Sequence, residues 1–139
     1  MAHGNAEVVR AMFAAYASGD DATLRLVLAD EVLYRLPGRS PMAGLYRGRE
    51  EVLALWDRQK AYLGGRVYRV EPLGLVADDQ HVVLLGSGEA DGPAGKLLWR
   101  AANVYRVLAG QVVECRVFIE DLYTFDQFWA GMPGRAAPQ

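Results

Sequence analysis

The sequence predicts one α+β domain: a cone-shaped, curved antiparallel sheet wrapped around helices, with an apolar pocket between them. Three observations carry this prediction. Apolar residues recur with a helical period over Val8–Tyr16 and Val52–Leu63 and with a period of two from Val67 onward. The connections between the later strands are too short for anything but antiparallel hairpins. A chain of 139 residues, 52% hydrophobic and 23% charged, is long enough to bury a core as one unit.

Val8, Val9, Met12, Phe13 and Tyr16 fall on one stripe of a first helix, with Asn5 placed to cap its start and Gly19 to end it. Asp20 is placed as the N-cap of a short second helix that turns Leu24, Val27 and Leu28 inward. Glu31 to Leu36 reads as a strand stopped by Pro37-Gly38. A Pro- and Gly-rich loop runs from Pro37 to Gly48. The third helix is the clearest element: Glu50 and Glu51 sit at its positive end and Lys60 near its negative end, matching the macrodipole. Val52, Leu55, Trp56, Gln59, Tyr62 and Leu63 share its inner face, and Gly64-Gly65 ends it.

Four strands are then expected, at about Val67–Val76, His81–Ala90, Lys96–Val107 and Gln111–Glu120, with turns between them. Pro72 and Gly74 mark the first of these as an edge strand or a bulged one. The run Thr124-Phe125-Asp126-Gln127 reads as a capping box opening a last short helix, with Tyr123 and Phe128 at the spacing of a hydrophobic staple. The order is therefore ααβαββββ with a short C-terminal helix. Residues 1–130 form the single domain, and 131–139 lose periodicity and read as a flexible tail.

Composition narrows the function classes. The formal net charge is −2 with both signs interspersed, so no basic stripe is present for nucleic acid. Cys115 is the only cysteine, which excludes an intrachain disulfide and a Cys-pair metal site. The N-terminus lacks the pattern of a signal peptide, and no apolar run approaches a membrane span. A cytoplasmic protein with no membrane or nucleic-acid partner is expected. His81 lies beside Asp78-Asp79 and His3 in the N-terminal arm, neither with a second ligand at metal spacing, so no metal and no cofactor are expected.

Several stretches resemble one family. Ser18-Gly19-Asp20, then Leu24, then Ala29-Asp30-Glu31-Val32 are similar to the entry segment of SnoaL-like and ketosteroid-isomerase-like proteins. Gly48-Arg49-Glu50-Glu51-Val52 resembles the start of their third helix. Asn103-Val104-Tyr105-Arg106-Val107 with Gly110-Gln111-Val112-Val113-Glu114 resembles their closing hairpin. The resemblance spans about residues 5–130. It implies the cystatin-like α+β barrel of the nuclear transport factor two-like superfamily, whose members include isomerases, cyclases, dehydratases, epoxide hydrolases and non-catalytic binders.

The departures from that family are informative. Resemblance to ketosteroid isomerases puts Leu36 where the general base stands, Met12 where the oxyanion tyrosine stands, and Asn103 where a protonated aspartate stands. Of these only the amide can still serve an oxyanion, as a hydrogen-bond donor. Against limonene-epoxide-hydrolase-like relatives, Tyr34 matches a tyrosine, Leu36 replaces an asparagine, and Val117 replaces the last aspartate. Polyketide cyclases of the SnoaL group also keep an acid near Val117.

Strand parity supplies the remaining candidates. If Asn103 faces the pocket, so do Trp99, Ala101 and Tyr105, and on the last strand Cys115, Val117 and Ile119, with Asp121 following in phase. Asp121 is the candidate acid or base, against a plain role as turn or cap. Asn103 and Tyr34 are candidates to polarise a substrate oxygen. The amide of Asn103 needs a partner: Tyr34, Tyr16 or a ligand. Tyr16, Trp56 and Trp99 are expected as pocket walls, and Cys115 as a small buried hydrophobe. Arg35, Arg100, Arg106, Arg116 and Glu114 fall on the opposite parity with Phe118, and the family resemblance implies a homodimer through that sheet face. Two functions follow. One is a cofactor-free enzyme performing isomerisation, cyclisation or dehydration of a small apolar carbonyl or polyketide-like compound by proton transfer. The other is a non-catalytic ligand-binding or dimerisation module on the same fold.

Overall fold

The computed structural model describes residues 2–134, with side chains from residue 4. Its elements are α1 (Ala2–Ser18), α2 (Asp21–Val27), β1 (Leu28–Leu36), β2 (Gly44–Arg47), α3 (Arg49–Leu63), β3 (Tyr68–Ala77), β4 (His81–Gly92), β5 (Gly95–Leu108), β6 (Gln111–Ile119) and α4 (Leu122–Trp129). All six strands join one sheet in the order β2-β1-β6-β5-β4-β3. The expected α+β architecture and element order hold, with one strand added.

That strand is β2. Its four residues lie inside the expected Pro/Gly loop and pair antiparallel with β1, Tyr34 opposite Tyr46. A strand so short, bounded by Gly44 and Gly48, leaves too few alternations for a period of two to register. The sheet is also not wholly antiparallel. β6 returns to pair in parallel with β1, placing Tyr34 opposite Cys115. The hairpin rule applies to consecutive strands and is silent on a first and a last strand that meet through the whole fold.

Local signals place most of the remaining elements. Asp20 caps α2 by accepting the Thr23 backbone N–H at 3.1 Å. Gly64 closes α3 in the left-handed conformation, φ 60°, and its N–H returns to the Lys60 and Ala61 carbonyls. β3 is an edge strand with a register shift between Pro72 and Gly74. At the N-terminus the helix begins earlier than expected. Asn5 lies within α1, and its amide instead donates to the Asp79 carbonyl at 2.8 Å, tying α1 to the β3–β4 turn.

The start of α4 corrects the capping-box reading. The N-cap is Asp121, whose carboxylate accepts from the Thr124 backbone N–H at 3.2 Å and from its hydroxyl at 2.7 Å. A carboxylate at the positive end of a helix is a stronger cap than a hydroxyl, so Thr124 becomes the capped residue. The staple is absent as well: Tyr123 is 88% exposed. Beyond residue 130, Met132 is buried, and its N–H donates to the Trp129 carbonyl at 3.0 Å. Packing thus runs past the expected domain end, and the rest of the expected tail, residues 135–139, lies outside the described residues.

The core sits between α1, α3 and the concave sheet face, where Val9, Val32, Val52 and Val82 are fully buried. Among the described residues no helix is long and apolar enough to cross a membrane. The outer face carries exposed Arg35, Arg100, Arg106 and Arg116, together with Leu85 and Phe118 at 51% and 55% exposure.

Candidate functional site

Three rows of side chains cross the concave face. Cys115 of β6 lies opposite both Tyr34 of β1 and Tyr105 of β5. Val117 lies opposite Asn103, which lies opposite Leu84 on β4. Ile119 lies opposite Ala101, which lies opposite Gly86. The alternation of β5 and β6 turns Trp99, Ala101, Asn103, Tyr105, Cys115, Val117 and Ile119 to this side, and all of them line an internal cavity of about 100 Å³. Met12, Phe13 and Tyr16 of α1, Trp56 and Gln59 of α3, and Phe125 of α4 close it from the other side.

The lining is polar in places but neutral throughout the described residues. Burial pushes the phenols of Tyr16, Tyr34 and Tyr105 well above their usual range, and that of Tyr68 up to about 12. Burial likewise pushes the Cys115 thiol up, so it remains a protonated, apolar-packed group. Among the described residues no carboxylate, imidazole, lysine or arginine lines this cavity. Leu36 and Val117, at the positions where the family resemblance implies catalytic polar groups, line it as apolar side chains.

Asn103 is the one amide on the β-strand wall. Its Nδ2 donates to the Tyr105 hydroxyl at 3.1 Å, and its Oδ1 is buried without a partner. The partner is therefore Tyr105 rather than Tyr34 or Tyr16. Two strand residues of the same phase lie on the same face, a spacing that makes Tyr105 the nearer group. The Tyr105 hydroxyl can donate or accept, so turning the amide over keeps that bond and presents the NH₂ instead. In either orientation one amide atom stays free for a ligand. Tyr34 stands edge-on to Trp56, ring centroids 6.0 Å apart, and to Tyr46 at 6.3 Å.

Asp121 lies elsewhere. It borders a second, wider cleft of about 1050 Å³ at the open end of the sheet, along with Lys60, Arg66, Arg100 and Glu120. Its carboxylate is exposed and engaged with Thr124, whose hydroxyl and N–H hold the pKa below the usual carboxylate range. Asn103 and Tyr34 thus share the inner cavity, whereas Asp121 does not. Tyr16, Tyr68, Val70 and Trp99 line both spaces and form the wall between them.

Two contributors escape reading by strand parity. Among the described residues Gln59 is the one buried non-aromatic polar side chain, and its Oε1 accepts from the Tyr16 hydroxyl at 3.3 Å. The helical stripe of α3 contained it, but nothing local distinguished it from a core position. Tyr68 hydrogen-bonds Tyr16 hydroxyl to hydroxyl, a contact between residues 52 positions apart that no local pattern announces. Among the described residues no three His, Cys, Asp or Glu side chains group as a metal ion would need, and the side chain of His3 lies outside them.

Comparison with known proteins places this architecture. The description of the SnoaL-like domain matches residues 9–115, which include α3 and most of the cavity wall. The chain belongs to the SnoaL-like family. It is 33% identical over 126 residues to the uncharacterized protein Rv0034 of Mycobacterium tuberculosis, covering 89% of this chain and 95% of that one. Among solved structures it is similar to Bal32a from a soil-derived mobile gene cassette, at 32% identity and TM-score 0.88, covering 92% of this chain and 98% of that one. TerC, co-crystallized with polyporic acid, shares the fold at 18% identity and TM-score 0.79, covering 90% of this chain and 97% of that one. The nuclear transport factor two-like fold expected from the sequence motifs is thereby established.

Proposed function

We propose that this SnoaL-like protein takes a small, neutral, largely apolar carbonyl or polyketide-like compound into the inner cavity and promotes its ring closure by orienting it and polarising its oxygen. The observation that carries this reading is the free amide atom of Asn103 in a cavity whose lining, among the described residues, holds no charged side chain. A buried polar atom without a partner costs about 1–3 kcal/mol, which a ligand's hydroxyl or carbonyl would recover. Tyr34 and Tyr105 flank the same space as neutral phenols, donors that need no ionisation.

The neutrality of the lining sorts the reactions expected of the family. Isomerisation and dehydration remove a carbon-bound proton and call for a protein base. Aldol-type ring closure shares that need, whereas attack of a substrate hydroxyl on its own carbonyl does not: the C–O bond forms as the O–H proton passes to the carbonyl oxygen, no C–H bond breaks, and confinement with carbonyl polarisation favours the step. That TerC, which shares the fold, was co-crystallized with polyporic acid supports a small organic ligand for this chain. We assign Asp121 to holding α4, outside the chemistry. A second reading, binding without turnover, is favoured by the absence of a carboxylate or imidazole from the cavity lining among the described residues. A homodimer through the outer sheet face fits the exposed row Leu85–Ala102–Phe118, in which neighbouring strands place these side chains side by side.

The test is a thermal-shift and fluorescence screen of cyclic ketones, quinones and linear polyketide-like carbonyls, with product analysis of every binder. Asn103→Leu and Tyr34→Phe are each expected to weaken the best binder about tenfold, the worth of one ligand hydrogen bond. Turnover is expected to stay flat from about pH 5 to 9, because the lining tyrosines and Cys115 remain protonated throughout. Binding untouched by both substitutions would sink the assignment. Product formation separates the ring-closing reading from simple binding.

Asp121 gives a contrasting prediction. Asp121→Asn keeps a capping side chain and is expected to leave ligand affinity and turnover unchanged, whereas Asp121→Ala lowers the thermal midpoint. Its folded-state pKa is depressed, so its contribution is present above the unfolded pKa and is lost as pH falls through the folded value. Urea unfolding of wild type and Asp121→Ala across the acid range should therefore converge at low pH. A loss of turnover in Asp121→Asn would return the residue to the chemistry.

A further inference from the structure

The inner cavity and the outer cleft are separated by a thin aromatic wall. Tyr68 stacks on Trp99 with ring centroids 6.1 Å apart and planes 21° from parallel. The Tyr68 hydroxyl is bonded to that of Tyr16, which in turn donates to Gln59 at 3.3 Å. Tyr16 is braced edge-on against Trp56 at 4.9 Å. Trp99 owes its seat to Gly88, directly opposite it on β4: a methyl group built there would overlap the indole. A glycine at that register position leaves a gap in the strand surface, and the indole lies in it.

Size makes this wall consequential. The inner space is part-open, and at about 100 Å³ it is smaller than the ~150 Å³ cavity known to admit benzene. Any ring compound must therefore occupy the inner cavity and part of the outer cleft together. Tyr16, Tyr68, Val70 and Trp99 line both spaces and stand between them. β3, which carries Tyr68, is the edge strand of the sheet, free of a neighbour on one side, and it is bulged at Pro72.

We infer that Tyr68 and Trp99 form a gated partition, latched by the Tyr16–Tyr68 hydrogen bond, that decides which ligands reach Asn103. The inference rests on the proposed ligand cavity and adds its selectivity. A ligand seats its oxygen at Asn103 only after the Tyr68–Trp99 pair swings toward the outer cleft, and the bound molecule then spans both spaces. Compounds are chosen by whether they can displace and then stack on this aromatic pair, which favours flat, ring-containing molecules over branched ones of equal volume.

The experiment uses 2-naphthol as a ring-sized probe and xenon as one small enough for the inner cavity with its aromatic wall in place. Tyr68→Phe removes the latch without adding space, and its expected effect is a 2- to 10-fold faster association of 2-naphthol, one net hydrogen bond released, with xenon binding by ¹²⁹Xe NMR unchanged. Gly88→Ala unseats the indole by a different route and should also speed entry. In protein labelled with 5-fluorotryptophan, the ¹⁹F resonance assigned through Trp99→Phe should move on naphthol binding. Equal association rates in wild type, Tyr68→Phe and Gly88→Ala, or a Trp99 resonance that stays in place while naphthol binds, would overturn the gate. Failure of the ligand reading looks different: naphthol would enter with gated kinetics, yet Asn103→Leu would leave its affinity unchanged.

Discussion

Leu36→Asp is expected to remove about 4 kcal/mol of stability at neutral pH and to make the protein more stable as the solution is acidified. Leu36 is 4% exposed at the end of β1 and lines the uncharged cavity. A carboxylate there finds no cation among the lining side chains, and burial of this degree raises an aspartate by roughly 3 pKa units, each worth about 1.4 kcal/mol. The folded-state pKa lies above the unfolded one, so the folded protein binds the extra proton. The penalty is smallest below the unfolded value of about 3.9 and grows as pH rises toward the folded one. Urea unfolding at several pH values reads this slope directly. A variant with wild-type pH dependence would mean that position 36 reaches water. The same substitution places a carboxyl where the resemblance to ketosteroid isomerases implies a general base, so it also asks whether a base alone confers proton-transfer activity.

Gly38→Ala is expected to cost about 3 kcal/mol, a large effect for one methyl group on a loop. Gly38 has φ 108°, a conformation that side-chain-bearing residues rarely adopt. Its missing side chain also leaves room for the Asp126 carboxylate, which a Cβ would overlap. That carboxylate clamps the loop after β1 to α4, accepting from the Arg39 N–H at 2.9 Å and the Ser40 N–H at 3.2 Å. Strain of about 1–2 kcal/mol and a broken clamp of similar size both follow from the substitution. Gly19→Ala is the control: φ is 74°, but nothing lies within 4 Å of the added methyl, so only about 1 kcal/mol of strain is expected. If the two variants unfold at the same denaturant concentration, the clamp has no energetic weight. A double-mutant cycle with Asp126→Ala separates strain from clamp, because the clash vanishes once the carboxylate is gone.

Much of the architecture was legible because its causes are local. The stripe Val52, Leu55, Trp56, Gln59, Leu63 is buried along α3 as its spacing requires, and Gly64 ends that helix because glycine alone adopts φ 60° at little cost. Alternation along β5 and β6 placed Asn103, Tyr105, Cys115 and Val117 on one face before any coordinates were needed, since side chains alternate with a period of two in every strand. The missing acids at Leu36 and Val117 could be read from residue identity and the family motifs.

What the tertiary structure alone decided concerns contacts between distant segments. The parallel pairing of β1 with β6 brings Tyr34 opposite Cys115, and the approach of α1 to β3 joins Tyr16 to Tyr68. Neither leaves a trace in local periodicity, because each depends on how far the sheet curls back on itself. Asp121 shows the limit most clearly. Its phase on β6 pointed it inward, but the strand ends at Ile119, the chain turns, and Thr124 draws the carboxylate into a helix cap. Alternation holds only while the strand lasts. One turn later, hydrogen-bonding demand at the helix N-terminus sets the direction of the side chain.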